Sequence, residues 1–268
     1  MTFPGATADR SDAAYVVVGA PLDVSTSFHP GARFGPARIR HYAEAFEDYD
    51  PGSGARFTDL GVHDAGDVRA WDDAAEYVEF LTGTLADVAR DGAVPLLLGG
   101  EHTVSVAGVR ATEPDVFVCL DAHLDLREAY DGNAWSHATV THHALSVADE
   151  AVVLGARSGS EAEWERAGAD DVTVVPPEDV AGWVPDFDDG ARVYCSVDVD
   201  AADPAVAPGT GTMEPFGLGS REMRDVVRAV APRAVGFDAV EVNDRDDGQA
   251  AALAAKLLRE FVFARASG

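Results

Sequence analysis

Short apolar runs recur along the chain, and stretches with helical spacing lie between them. The runs Ala14–Ala20, Val94–Leu98, Val116–Leu120, Arg192–Val197 and Ala234–Val240 show little polar alternation, as in strands buried on both faces of a parallel sheet. Weaker strand signals fall at Phe57–Val62, Ala151–Gly155 and Val172–Val175. Helical periodicity marks Asp72–Asp91, where Ala75, Val78, Leu81, Leu85 and Val88 lie on or near one face. It also marks Ala37–Phe46 (entered through Pro36), Thr103–Ala111, Ser136–Val147, Ser160–Ala167, Arg221–Val230 and Gln249–Ala264. Strands and helices alternate with no linker, repeat or break in composition. That alternation predicts an α/β fold with a parallel, doubly wound sheet of around eight strands, in a single domain over residues 1–268.

In such sheets the ligand site lies outside the carboxyl ends of the strands, which selects among the polar residues. Val94–Leu98 runs into G-G-E-H and presents His102. Val116–Leu120 runs into D-A-H-L-D, and in an extended chain Asp121, His123 and Asp125 share one side. Taken alone, D-x-H-x-D suits either a divalent cation or a solvated loop with a satisfied histidine. Arg192–Val197 runs into Asp198 and Asp200, again two residues apart, and Ala234–Val240 into Glu241. Two histidines and four aspartates at three of these ends favour two metal ions over one, because two divalent ions cancel the four carboxylates. Imidazole and carboxylate donors without thiolate favour Mn²⁺, with Fe, Co, Ni or Zn as substitutes. Two ions about 3.5–4 Å apart can hold a hydroxide at neutral pH, which points to hydrolysis.

Composition narrows the partners. The 268 residues carry a formal charge of −27, with Lys256 the only lysine. Such acidity repels nucleic acid and anionic membrane and attracts a small cationic substrate. It also suits a salt-adapted (halophilic) solvent face, since at about molar ionic strength the Debye length is only roughly 3 Å. Met1–Ala14 has no basic cluster and no apolar core of a signal peptide, and no run is long enough to cross a bilayer. A soluble cytoplasmic protein is expected. Cys119 and Cys195 sit within strand runs as small core hydrophobes, and no C-x-x-C spacing suggests a thiolate zinc site.

Several motifs together carry a resemblance: P-G-A-R-F-G-P-A-R-I-R (30–40), G-G-E-H-T (99–103), D-A-H-L-D (121–125), S-V-D-V-D-A-A-D-P-A-V-A-P-G (196–209), E-V-N (241–243) and D-G-Q-A-A-A-L-A-A-K-L-L-R-E-F (247–261). Over nearly the whole chain, and in the same order, these resemble the signature motifs of the ureohydrolase family, the arginases and agmatinases. The resemblance implies a three-layer α/β/α sandwich and two manganese ions per chain. One ion would be held by His102, Asp121, Asp125 and Asp198, the other by Asp121, His123, Asp198 and Asp200, with Asp121 and Asp198 bridging. It further implies hydrolysis of a guanidino group to urea and an amine. In that reaction Asp125 would orient the nucleophile and take its proton, Glu241 would grip the guanidinium, and His137 would pass a proton to the leaving amine. The family suggests a homo-oligomer, a trimer or hexamer.

The loop L-R-E-A-Y-D-G-N-A-W-S-H-A-T (126–139) is similar to the agmatinase version rather than the arginase one. This implies agmatine as substrate and putrescine as product, with Glu128 and Asp131 as candidates to attract the distal ammonium. Met213 and Phe216 stand where the family usually has Pro and Gly, and Asp244 where a proline commonly follows. These departures keep arginine, a guanidino acid or aminopropylagmatine open as substrates, and a non-catalytic family member is the remaining alternative. A related deacetylase would use one zinc and fewer ligands. A dinucleotide site fails because Gly217-x-Gly219 has no strand before it.

Overall fold

The computed structural model describes residues 1–69 and 71–268. Among the described residues eight strands form one sheet: β1 (Tyr15–Ala20), β2 (Val62–Asp67), β3 (Val94–Gly99), β4 (Val116–Leu120), β5 (Glu150–Leu154), β6 (Val172–Val175), β7 (Val193–Asp198) and β8 (Ala234–Val240). Their order is β2-β1-β3-β8-β7-β4-β5-β6, and every pairing is parallel. The helices are α1 (Gly35–Ala43), α2 (Ala74–Arg90), α3 (Ser105–Thr112), α4 (Val140–Ala144), α5 (Glu161–Arg166), α6 (Pro177–Val180), α7 (Ser220–Val230) and α8 (Gln249–Ser267).

The uninterrupted apolar runs are buried because both sheet faces are covered. β1, β3, β4 and β7 are buried at every residue. By the two-residue period of a strand, Val17, Leu96, Val118 and Val197 turn to the side where α1, α7 and α8 pack together. Val16, Leu97, Phe117 and Tyr194 turn to the side of α2, α3 and α4. The result is the three-layer sandwich with a parallel eight-stranded sheet.

Two expectations are corrected. The strand expected at Phe57–Val62 is a 3₁₀ turn at Phe57–Asp59 followed by β2. Phe57 lies outside the sheet and packs its ring tilted on Phe3 and edge-to-face on Phe263, while the polar run V-H-D-A-G-D forms the edge strand. The helix expected over Ser136–Val147 is a 3₁₀ turn, His137–Thr139, and then the short α4. Ser136 and Thr139 cap that turn reciprocally and set His137 at its start.

The strand order matters for the site. β3, β8, β7 and β4 are consecutive in the sheet, so the carboxyl ends carrying His102, Glu241, Asp198 and Asp121 are neighbours.

Candidate metal centre and active site

His102 follows β3 through Gly99-Gly100, and a Cβ at Gly100 would lie 1.9 Å from the Leu22 carbonyl oxygen. Only glycine lets the chain turn so close. The buried His102 ring points Nδ1 at Asp125 Oδ2 (3.0 Å), Asp121 Oδ2 (3.1 Å) and Asp198 Oδ2 (3.5 Å). Its Nε2 lies 3.1 Å from the Ser196 hydroxyl, which donates to buried Asp238 at 2.6 Å. A ligating histidine whose second nitrogen is fixed in this way has its ring orientation set.

The second half of the cluster forms on His123, whose Nδ1 is 3.0 Å from Asp200 Oδ2 and 3.6 Å from Asp121 Oδ1. Asp121 therefore offers one oxygen to each histidine and joins the two halves. Asp198 contacts the His102 half, while its other oxygen accepts the Asp200 amide at 2.9 Å. Asp200 in turn accepts from the Ala122 amide and the Thr212 hydroxyl, both at 3.1 Å. The Arg157 guanidinium donates to the carbonyls of Asp200, Ala201, Ala202, Glu214 and Pro215, tying the Asp200 turn to the 212–216 loop. All six residues expected to cluster are brought together.

The route differs from the extended chain expected for 121–125. β4 ends at Leu120, and Asp125 comes round in the left-handed conformation, φ 51°. Glu241 is also left-handed, φ 59°. Such backbone outside glycine stores strain of order 1–3 kcal/mol and clusters at functional sites. Glu241 is held by two bonds: its amide donates to the Gly100 carbonyl, and its carboxylate accepts the His102 amide, each at 2.8 Å.

The electrostatics record too much negative charge in too little water. Burial, then Asp121, raises Asp125 to about 7. Burial, then neighbouring carboxylates, raises Glu241 to about 8 and Asp198 well above its ordinary value. Burial alone would raise Asp121 too, yet the two histidines hold it below the usual carboxylate range. Burial would lower His123 and His102, but the surrounding acids push both up. Two groups, His102–Cys119–Asp121 and Asp121–His123–Asp200, have donors spaced to hold a metal ion. In the first, Cys119 Sγ approaches Nε2 of His102 at 3.7 Å, across the ring from the three aspartates. Burial also pushes its thiol up.

A cavity of about 310 Å³ opens onto the cluster. His123, Asp125, His137, Tyr130, Thr212 and Ser27 are among its walls. His137 Nδ1 is 3.9 Å from Glu241, so two of the three expected catalytic groups lie side by side, and the third, Asp125, lines the cavity with His137. Glu128 and Asp131, the candidates for the distal ammonium, do not line it; Arg127, paired with Glu163 at 3.1 Å, does. Of the departing residues, Met213 and Phe216 are exposed, Phe216 in left-handed backbone, and Asp244 is exposed as well. Sequence reasoning passed over Thr212, Arg157 and Ser27, which lie in irregular loops and acquire their partners only through the fold.

The chain matches the arginase family model over residues 13–264. It is 34% identical over 265 residues to an agmatinase of Pyrococcus horikoshii, covering 94% of this chain and 92% of that protein. The chain belongs to the arginase family. It is a hydrolase of that family, acting on guanidino compounds. It is also 34% identical to an N(1)-aminopropylagmatine ureohydrolase of Thermococcus kodakarensis, over 96% of this chain and 92% of that one. The crystal structure of an agmatine ureohydrolase of Thermoplasma volcanium superposes with a TM-score of 0.94 at 35% identity, covering 99% of this chain and 94% of that chain.

Proposed function

We propose that the chain is a binuclear manganese hydrolase that cleaves the guanidino group of agmatine to putrescine and urea. The observation that carries this reading is Asp121 joining two histidine–aspartate groups beside a cavity lined by His137, with Glu241 3.9 Å behind that histidine. The donor set fits hard divalent ions. Buried acids that hold protons more tightly than usual are acids in want of positive charge, and a pair of ions supplies four units of it. We assign His102, Asp121, Asp125 and Asp198 to one ion, and Asp121, His123, Asp198 and Asp200 to the other. When bound, the ions let a water molecule attack as its conjugate base near neutral pH.

The chain's own groups then do the following. Glu241 grips the guanidinium, whose charge favours the ionised carboxylate that burial disfavours. Asp125 orients the nucleophile and accepts its proton. His137 carries a proton to the leaving amine, a role that contributes about 10²–10⁴-fold in rate. The similarity to the aminopropylagmatine enzyme favours that longer amine as the second reading. We also propose that residues 1–268 act as one catalytic domain, in a cytoplasmic, salt-adapted homo-oligomer (trimer or hexamer) with a small cationic substrate as its partner. Among the described residues no helix is long and apolar enough to cross a membrane.

Urea release from agmatine, aminopropylagmatine, arginine and guanidino acids, with Mn²⁺ and KCl present, tests the reading. Agmatine turnover with two manganese ions per chain by mass spectrometry is expected. One zinc ion, or no urea from any compound, would overturn it. In the same assay His137→Asn keeps both ions and loses at least about 100-fold in kcat.

A further inference from the structure

We propose that the Ser27 hydroxyl is the group through which His137 exchanges its proton with solvent. This rests on the reading above, in which His137 serves the leaving amine. The two imidazole nitrogens face different surroundings: Nδ1 faces Glu241 on the inner side, and Nε2 lies 2.8 Å from Ser27 Oγ. The His137 side chain is only 14% exposed, whereas Ser27 is exposed at the cavity wall. The hydroxyl therefore stands between the ring and bulk water.

Ser27 lies in a segment without regular structure, 110 positions from its partner, and its place is nevertheless fixed. The fully buried Glu101 accepts the Ser25 amide at 3.0 Å, the Ser25 hydroxyl at 2.8 Å and the Thr26 hydroxyl at 3.3 Å. Buried Asp23 accepts the Gly31 amide at 3.0 Å. Two carboxylates thus pin the loop on either side of Ser27, and neither belongs to the metal-ligating set.

The proton traffic balances. At rest the ring is neutral, with its proton on Nε2. The attacking water gives up its proton to Asp125, which lines the same cavity and hands it on to Nδ1; Nε2 passes its own to Ser27 Oγ, and the Ser27 proton goes to solvent. The ring is left as the Nδ1–H form. It then donates Nδ1–H to the departing amine while Nε2 takes a proton from Ser27, which takes one from solvent. One proton leaves and one returns, nothing is oxidised, and the starting tautomer is restored.

The test compares Ser27→Ala and Ser27→Thr with the wild type, in weak and strong buffer. Ser27→Ala should lose about tenfold or more in kcat with KM unchanged. Added imidazole buffer, small enough to carry the proton itself, should restore most of the loss. Ser27→Thr keeps the hydroxyl and should keep kcat. An independent readout uses metal-free protein with ¹⁵N-labelled histidine: the His137 Nε2 resonance should move in Ser27→Ala and stay in Ser27→Thr. Wild-type kcat in Ser27→Ala, a loss confined to KM, a kcat loss that imidazole leaves in place, or an unmoved Nε2 resonance would overturn the proposal. A wild type silent on every guanidino compound would instead sink the hydrolase reading, and the ring resonances would still decide whether Ser27 holds His137.

Discussion

Asp121 shows how one residue holds the centre together. Its carboxylate sits between His102 and His123, and the amide of His123 also donates to it at 2.7 Å. Asp125 meets one histidine and Glu241 accepts one close amide, too little to offset their burial, and this difference from Asp121 predicts a pH response for the metal-free protein. A carboxyl whose pKa is higher folded than unfolded binds more protons in the folded state, so stability falls as pH rises between the two values. For Asp125 the window runs from its ordinary 3.8 up to about 7, and for Glu241 from 4.5 up to about 8. The melting temperature of metal-free protein should therefore drop as pH rises from about 4 to about 8. Divalent manganese should flatten that slope by replacing protons with ions, with proton release on binding. Calorimetric melts across pH, with and without Mn²⁺, check this. A metal-free protein that grows steadily more stable over the window would show that these acids are not in the crowded state described.

At the scale of elements, the edge strand β2 shows why an apolar pattern is not the only source of a strand. Its sequence, V-H-D-A-G-D, is too polar to mark a core strand, and among the described residues its only sheet neighbour is β1. What anchors it is Arg40 of α1, which is buried and grips both oxygens of Asp64 at 2.7 and 2.9 Å, with Asp67 at 2.5 Å. Removing one member of a buried ion pair strands the other, at about 3–5 kcal/mol. Arg40→Met should destabilise the chain by that order in urea denaturation, and adding Asp64→Asn should return part of the loss. A single variant as stable as the wild type would mean that β2 is held by its pairing with β1 alone. The same contrast explains what the sequence made legible. β3, β4, β7 and β8 were readable because burial on both faces leaves a continuous apolar run, and their polar ends were readable because the site of such a sheet lies there. β2 was not, because its stabilising partner is remote and ionic. Nor was the left-handed turn that brings Asp125 to His102, since alternation along an extended chain reaches the same grouping by a different backbone path. Ser27 and Arg157 owe their roles to partners met only in the folded chain.

For the whole molecule, the charge of −27 has a location as well as a size. At the end of the sheet opposite the metal-ligating cluster, eight carboxylates between Asp115 and Asp189 line one cleft of about 720 Å³. Glu150 in that cleft is raised by burial and then by Asp188, Asp149 and Asp186. Mutual repulsion of this kind weakens the compact state and is relieved by counterions. On the function proposed above, the like charges of the cluster would hold ions and substrate, whereas the carboxylates of the cleft belong to no group of that site. We therefore propose that the fold is completed by salt. Raising KCl from about 0.1 M, where the Debye length is about 10 Å, to above 1 M, where it is under about 3 Å, should raise the melting temperature continuously. Replacing Asp186, Asp188 and Asp189 with Asn should raise the melting temperature at low salt and shrink the response to KCl, because the repulsion being screened is then smaller. An equal concentration of sucrose should not reproduce the screening component, which distinguishes charge from general solvent exclusion. A melting temperature indifferent to KCl, or a triple variant with an undiminished salt response, would place the repulsion elsewhere on the surface and leave the cleft without a part in stability.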